Sequence, residues 1–195
     1  MVLMLGYMAT QWLSLTRRYA FETKRNRLEL ETLGKRMEIL NRNVQAAPEV
    51  AWNGYRKFTV ARKVLECDDT YSFYLKPHNG RPLPAFKPGQ YLTFEVQPPG
   101  LPKPQIRCYS LSDGALSDDH YRVTIKRFIR DDGTPGLVSA HFCDEVKEGD
   151  LLNVKAPSGK FFLDVEVDRP VVLISGGIGI TPMLAMARLL THIGD

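Results

Sequence analysis

Six stretches between Phe58 and Lys155 alternate apolar and polar residues or concentrate β-branched ones. They are Phe58 to Leu65, Thr70 to Leu75, Tyr91 to Val96, Ile106 to Leu111, Tyr121 to Phe128 and Leu151 to Lys155. Period-two patterning of this length predicts strands. Turn signals separate them: His78-Asn79-Gly80, Pro98-Pro99-Gly100, Asp131-Asp132-Gly133, Glu148-Gly149-Asp150 and Pro157-Ser158-Gly159. Gly136 to Glu145 interrupts the series with a helical pattern, in which Val138 and Phe142 form an i,i+4 apolar pair. Six short strands with one helical insertion predict a six-stranded antiparallel Greek-key barrel. After Pro170 the texture changes. Val171-Val172-Leu173-Ile174-Ser175 is a continuous apolar run, as expected of a strand buried on both faces of a parallel sheet. Pro182 to His192 reads as a helix, so strand, glycine turn and helix predict the first β-α unit of a Rossmann-like α/β domain.

The N-terminal part has a helical texture instead. Arg17 to Asn43 contains no proline, and Leu30, Leu33, Met37 and Leu40 repeat with a/d spacing over two heptads. Glu31 and Lys35 form an i,i+4 pair of favourable order. A short coiled-coil stalk and a solvated linker helix both fit. Nucleic-acid binding fits less well, because acids are interleaved and no stacking aromatics accompany the run. Ala46-Ala47-Pro48 is expected to stop the helix, placing a boundary near residue 50. Met1 to Thr16 carries no charge and is followed by Arg17-Arg18. Three readings are open for it: a membrane anchor with the body on the cytoplasmic side, a helix in the membrane interface, or a soluble helix end. A span needs about 20 apolar residues. The expected organisation is an anchor over 1–16, a charged linker over 17–49, a barrel domain over 50–166 and an α/β segment over 167–195.

Composition changes this picture little, and charge changes it more. The chain has 195 residues, 44% hydrophobic and 25% charged, which is globular rather than disordered. Residues 1–63 carry a balance of +7 and the remainder −3, so the formal +4 belongs to the N-terminal arm. Cys67, Cys108 and Cys143 have neither disulfide-framework nor metal-ligand spacing, and suit a reducing compartment such as the cytoplasm. The four histidines lack ligand spacing as well, so no metal is expected.

Three segments carry candidate chemistry. In Arg107-Cys108-Tyr109-Ser110, strand alternation puts Arg107 and Tyr109 on one face, with Cys108 and Ser110 on the other. Arginine holds phosphate bidentately and tyrosine offers a flat ring, a pairing suited to a dinucleotide. From spacing alone, an ordinary barrel strand with one exposed arginine is the favoured reading. Gly136-Leu137-Val138-Ser139 opens the helical insertion, where unpaired N–H groups attract anions; a simple helix start is the alternative. Gly177-Ile178-Gly179-Ile180-Thr181-Pro182 lies between strand and helix, where ligands of open α/β sheets bind. It lacks the third glycine of the usual dinucleotide fingerprint.

Taken in order, Pro88-Gly89-Gln90-Tyr91, Arg107 to Ser110, Val123 to Arg127, Gly136 to Ser139, Pro157 to Phe161 and Gly177 to Pro182 resemble the ferredoxin reductase-type flavoproteins. The likeness is closest to the reductase part of flavohaemoglobins and to reductases that carry a 2Fe–2S domain. It implies that Arg107 binds the FAD pyrophosphate, that Tyr109 packs on the flavin and that Tyr91 contacts FAD. It further implies a catalytic position for Ser110 beside the redox-active flavin nitrogen, with Cys108 and Lys126 in the binding segments. Gly136, Val138 and Ser139 would hold the pyrophosphate. Gly177, Ile178, Gly179, Ile180, Thr181 and Pro182 would meet NAD(P)H, with Thr181 catalytic at the flavin–nicotinamide junction.

The implied reaction is hydride transfer from NAD(P)H to FAD, followed by electron release to an acceptor that the residues do not identify. A flavin-binding electron-transfer module without its own NAD(P)H oxidation, and a membrane-tethered interaction domain without cofactor, are the competing readings. A nicotinamide domain of this type needs several βαβ units, and one strand and one helix of it are expected here. The chain is therefore expected to be part of a longer reductase.

Overall fold

Alternation along the chain builds one antiparallel sheet of six strands. The computed structural model describes residues 2–45, 52–115, 117, 119–165 and 170–194. The strands are β1 (Arg56–Cys67), β2 (Thr70–Pro77), β3 (Tyr91–Val96), β4 (Gln105–Ser110), β5 (Tyr121–Lys126) and β6 (Leu151–Ser158). Their order in the sheet is β4-β3-β6-β1-β2-β5. Leu111, just beyond β4, bridges Val123 of β5, so the two outer strands meet and the sheet closes as a barrel. All six expected strands form, in the Greek-key order. In β3 the inward residues Leu92, Phe94 and Val96 alternate with partly exposed Tyr91, Thr93 and Glu95. Phe58, Phe73, Leu92, Phe94, Val123 and Val154 fill the interior without solvent exposure. Tyr121 joins them, donating its hydroxyl to the Pro84 carbonyl at 2.6 Å.

One end of the barrel is plugged by the helical insertion, α2 (Leu137–Ala140) running into a π-helical turn, His141–Glu145. Phe142 of that turn sits edge-on to Phe73, Phe94 and Tyr109, with ring centroids 5.4–5.5 Å away. Strand β6 extends further than the pattern predicts. It continues through Pro157 to Ser158, which pairs with Tyr91 across a register shift between Tyr91 and Thr93. A proline, which has no N–H to give a ladder, is tolerated at such an irregularity.

A long helix precedes the barrel: α1 spans Val2–Gln45. It includes the predicted Arg17 to Asn43 helix and also the segment expected as an anchor. Among the described residues no helix is long and apolar enough to cross a membrane. The apolar run is interrupted by Thr10, Gln11 and Ser14 before Arg17-Arg18 ends it. Glu31 accepts from Arg27 at 3.0 Å. The helix stop at Ala46-Ala47-Pro48, the boundary near residue 50 and the boundary at 166–167 lie outside the described residues.

The C-terminal part departs from expectation in one place. Residues 171–175 pair with no strand among the described residues, and Val172 and Ile174 are 81% and 82% exposed. An apolar run becomes a buried parallel strand when neighbouring strands supply its ladder and helices cover its faces, and here neither does. The helix that follows forms as predicted, as α3 (Ile180–Gly194) behind a single 3-10 turn, Gly177–Gly179. Its Ala185, Met186, Leu189 and Ile193 are buried. The barrel accepts this helix at a glycine. Gly89 has φ +110, and a Cβ there would lie 2.5 Å from the Phe161 carbonyl oxygen and 2.7 Å from Met186 Cε. Arg188 of α3 adds a hydrogen bond of 3.0 Å to Asp113 Oδ1.

Candidate functional site

Between the outer edge of β4, the end of β5 and the helical insertion lies a cleft of about 480 Å³. That volume falls within the range of small-molecule sites. Its walls are Arg107, Cys108 and Tyr109 of β4, Ile125 and Lys126 of β5, Phe128 and Arg130 beyond β5, the Gly136 to Ser139 turn, and Ile178. The structure therefore gathers residues from all three candidate segments around one opening.

Strand β4 presents its residues here because it pairs along its length with β3 and meets β5 only near Leu111. An open edge leaves the strand's backbone groups, as well as one row of its side chains, facing that space. Arg107, Cys108 and Tyr109 all line the cleft, and the alternation holds: Arg107 and Tyr109 pair with the inward Phe94 and Leu92, while Cys108 pairs with the outward Thr93. Cys108 Sγ lies 3.4 Å from Thr93 Oγ1, its cross-strand neighbour. Arg107 is exposed, and its guanidinium donates to the Ile106 carbonyl at 2.7 Å. Tyr109 is wedged between Phe94 and Phe142, with ring centroids 5.8 and 5.4 Å away. Burial pushes its hydroxyl up to about 12, so the ring is neutral at physiological pH.

The opposite wall is held by short-range ties. Gly136 N–H donates to the Phe128 carbonyl at 2.8 Å. The Ser139 hydroxyl accepts from Phe128 N–H at 3.1 Å and donates to the Gly136 carbonyl at 3.2 Å. Ser139 Oγ thus locks the turn against the end of β5. Gly136 is required for space rather than for conformation. Its φ is −66, but a Cβ would meet Ser139 Oγ at 2.9 Å and Phe128 Cδ1 at 3.2 Å. Arg127 Nε, just past β5, donates to both carboxylate oxygens of Asp144, at 3.0 and 2.9 Å, and ties down the π-helical turn. Single π-helical turns recur at functional sites.

The cleft is cationic. Arg107, Lys126 and Arg130 line it, and no acidic side chain does. Lys126 Nζ is 3.5 Å from Asp69 Oδ2, outside the lining. A tyrosine ring, three cations and the Gly136 to Ser139 turn around one opening together fit a ligand with an aromatic ring system and phosphates.

Several expected residues lie outside the lining. Tyr91 pairs with Ser110, and its ring packs over Gly159, where a Cβ would lie 3.0 Å from Cε1. Ser110 is half-buried beside it. The 3-10 turn brings Ile178 to the cleft, while Gly177, Gly179, Ile180 and Pro182 do not line it. Thr181 is buried, and its hydroxyl donates to the Ile178 carbonyl at 3.1 Å, closing the start of α3. Phe128, Arg130 and Leu137 line the cleft without having been singled out from the sequence. Phe128 carried a signal, an aromatic at the last polar-facing position of its strand pattern. Arg130 lay in what reads as a plain turn.

Among known families, the oxidoreductase FAD-binding domain matches residues 57–163. A flavohemoprotein of Deinococcus radiodurans is 52% identical over 144 residues, covering 74% of this chain and 34% of that protein. One of Rhodopirellula baltica is 46% identical over 151 residues, covering 76% and 36%. The chain thus spans about a third of the length of the curated relatives it matches. Of solved structures, the flavohem-like FAD/NAD binding domain of nitric oxide dioxygenase from Vibrio cholerae superposes with a TM-score of 0.65 at 42% identity, covering 71% of this chain and 57% of that one. Phthalate dioxygenase reductase, described as a modular structure for electron transfer from pyridine nucleotides to 2Fe–2S, gives 0.58 at 35% identity, covering 71% and 40%.

Proposed function

The chain belongs to the oxidoreductase FAD-binding domain family, and from that premise we propose that it holds FAD in the β4–β5 cleft and relays electrons from NAD(P)H to an acceptor. The observation that carries this reading is the convergence of Arg107, Tyr109, the Gly136 to Ser139 turn and Ile178 on one cationic opening. When bound, FAD supplies the hydride-accepting and electron-releasing chemistry.

The residues divide the work of binding. Arg107, with Lys126 beside it, neutralises the pyrophosphate, and backbone N–H groups of the Gly136 turn approach the same charge. Gly136 keeps that backbone close, Val138 anchors the turn in the core, and Ser139 fixes it to β5. Tyr109 and Cys108 line the ring site, and Tyr91 and Ser110 close its far end. Tyr109 carries a neutral hydroxyl, so it adds no charge against the ring. The Gly177 to Pro182 turn sets the side from which a nicotinamide approaches, with Ile178 against the cleft and Thr181 stabilising the turn from behind. No general base is required, because orientation and exclusion of water are what the protein supplies. The three free cysteines support a cytoplasmic setting.

Adding NADH or NADPH anaerobically to the FAD-loaded chain tests the relay. Loss of flavin absorbance supports it. FAD that binds but stays oxidised would leave a flavin module whose reduction depends on another chain.

A further inference from the structure

The cleft holds one cation that the family motifs do not include. Arg130 follows β5 in a hairpin that is closed on itself. Ile129 bridges Pro135, Arg130 N–H donates to the Thr134 carbonyl at 2.8 Å, and Gly133 N–H donates to the Arg130 carbonyl at 2.9 Å. The hairpin also carries Asp131 and Asp132, both exposed, and Asp132 is engaged chiefly with Thr134. It accepts from Thr134 N–H at 2.9 Å and from the Thr134 hydroxyl at 2.6 Å. The Arg130 guanidinium makes one long hydrogen bond among the described residues, 3.4 Å to Thr134 Oγ1, and Arg130 lines the same cleft as Arg107.

A pyrophosphate diester carries two negative charges. Arg107 supplies one positive charge, and Lys126 is partly compensated by Asp69 at 3.5 Å. The hairpin thus presents a charge that the barrel wall lacks, and its backbone ties fix where that charge stands. Building on the FAD reading above, we propose that Arg130 is a second pyrophosphate-binding residue, a positioning group through which the hairpin favours phosphorylated flavin over the bare isoalloxazine. Because the side chain is exposed, its contribution is that of a screened charge-assisted contact.

The test titrates the full-length apoprotein with FAD and with riboflavin, following fluorescence quenching, in wild type, Arg130→Gln and Arg130→Lys. Arg130→Gln is expected to weaken FAD binding about fivefold to tenfold, with riboflavin unchanged and Arg130→Lys close to wild type. Equal FAD affinity in wild type and Arg130→Gln would overturn the proposal. So would a parallel loss for riboflavin, since the hairpin would then shape the ring site rather than bind phosphate. If wild type quenches neither ligand, the FAD reading itself fails, a result distinct from either of these.

Discussion

The ammonium of Lys63 lies 2.6 Å from the carbonyl oxygen of Cys143. It also donates to the carbonyls of Val146 at 2.7 Å and Phe142 at 3.3 Å. These are carbonyls at the end of the helical insertion, which a helix terminus leaves without intrahelical partners. A cation there is also favoured by the helix dipole. Through one side chain, β1 fixes the plug whose far end forms the cleft wall, although Lys63 does not line the cleft.

Lys63→Met should therefore act at a distance. It orphans three carbonyls, and a loss of about 2–3 kcal/mol in unfolding free energy is expected from urea denaturation. FAD affinity should fall with it, because Phe142 and the Gly136 turn lose their anchor. Unchanged stability together with unchanged FAD affinity would show that the plug is held by its apolar contacts.

Gly136→Ala separates space from conformation. The φ of −66 suits alanine, but the added carbon would crowd Ser139 Oγ at 2.9 Å. FAD affinity is expected to drop at least tenfold, while stability falls by about 1–2 kcal/mol. Gly149→Ala is the contrast: its φ is +92 and nothing lies within 4 Å of a Cβ. It should cost about 1 kcal/mol of stability and leave the flavin titration as in wild type.

Alkali should destabilise the barrel through its buried acids. Burial pushes the Cys143 thiol from 9.0 to about 11 and the Tyr109 hydroxyl from 10.0 to about 12. Both groups ionise more readily in the unfolded chain. Their stabilisation is full below pH 9 and is lost as pH rises through 11 and then 12. For Cys143 the loss is bounded by about 2.7 kcal/mol. Thermal melts from pH 8 to pH 11 should show the decline, and Cys143→Ala should flatten its first part; an equal slope in that variant would assign the decline elsewhere.

Much of the barrel is legible because half-buried antiparallel strands write their pleat into the sequence. Leu92, Phe94 and Val96 of β3 do so directly, whereas the Arg107 and Gly136 segments stand out only through the ordered family resemblance, since each alone reads at least as well as plain structure. Other features depend on contacts far along the chain. Lys63 meets a carbonyl 80 residues away, and no local pattern marks a lysine as a helix clasp. Arg130 reaches the cleft because the hairpin closes between Ile129 and Pro135. The run Val171 to Ser175 reads as a buried strand from composition, yet a strand exists only in its ladder. The edge position of β4, which opens Arg107 and Tyr109 to the cleft, follows from sheet order rather than from alternation.

Arg107→Ala removes the cation on which the pyrophosphate assignment rests. A loss of FAD affinity of about tenfold or more is expected, with riboflavin affected little, and equilibrium titration of the two ligands separates the contributions.

The central claim is that the β4–β5 cleft is an FAD site. Equilibrium titration of the purified full-length apoprotein with FAD, read by quenching of flavin fluorescence, tests it most directly. Saturable binding at one FAD per chain, weakened by Arg107→Ala, is the predicted result. No saturable quenching by the wild-type chain, or identical curves for wild type and Arg107→Ala, would contradict it.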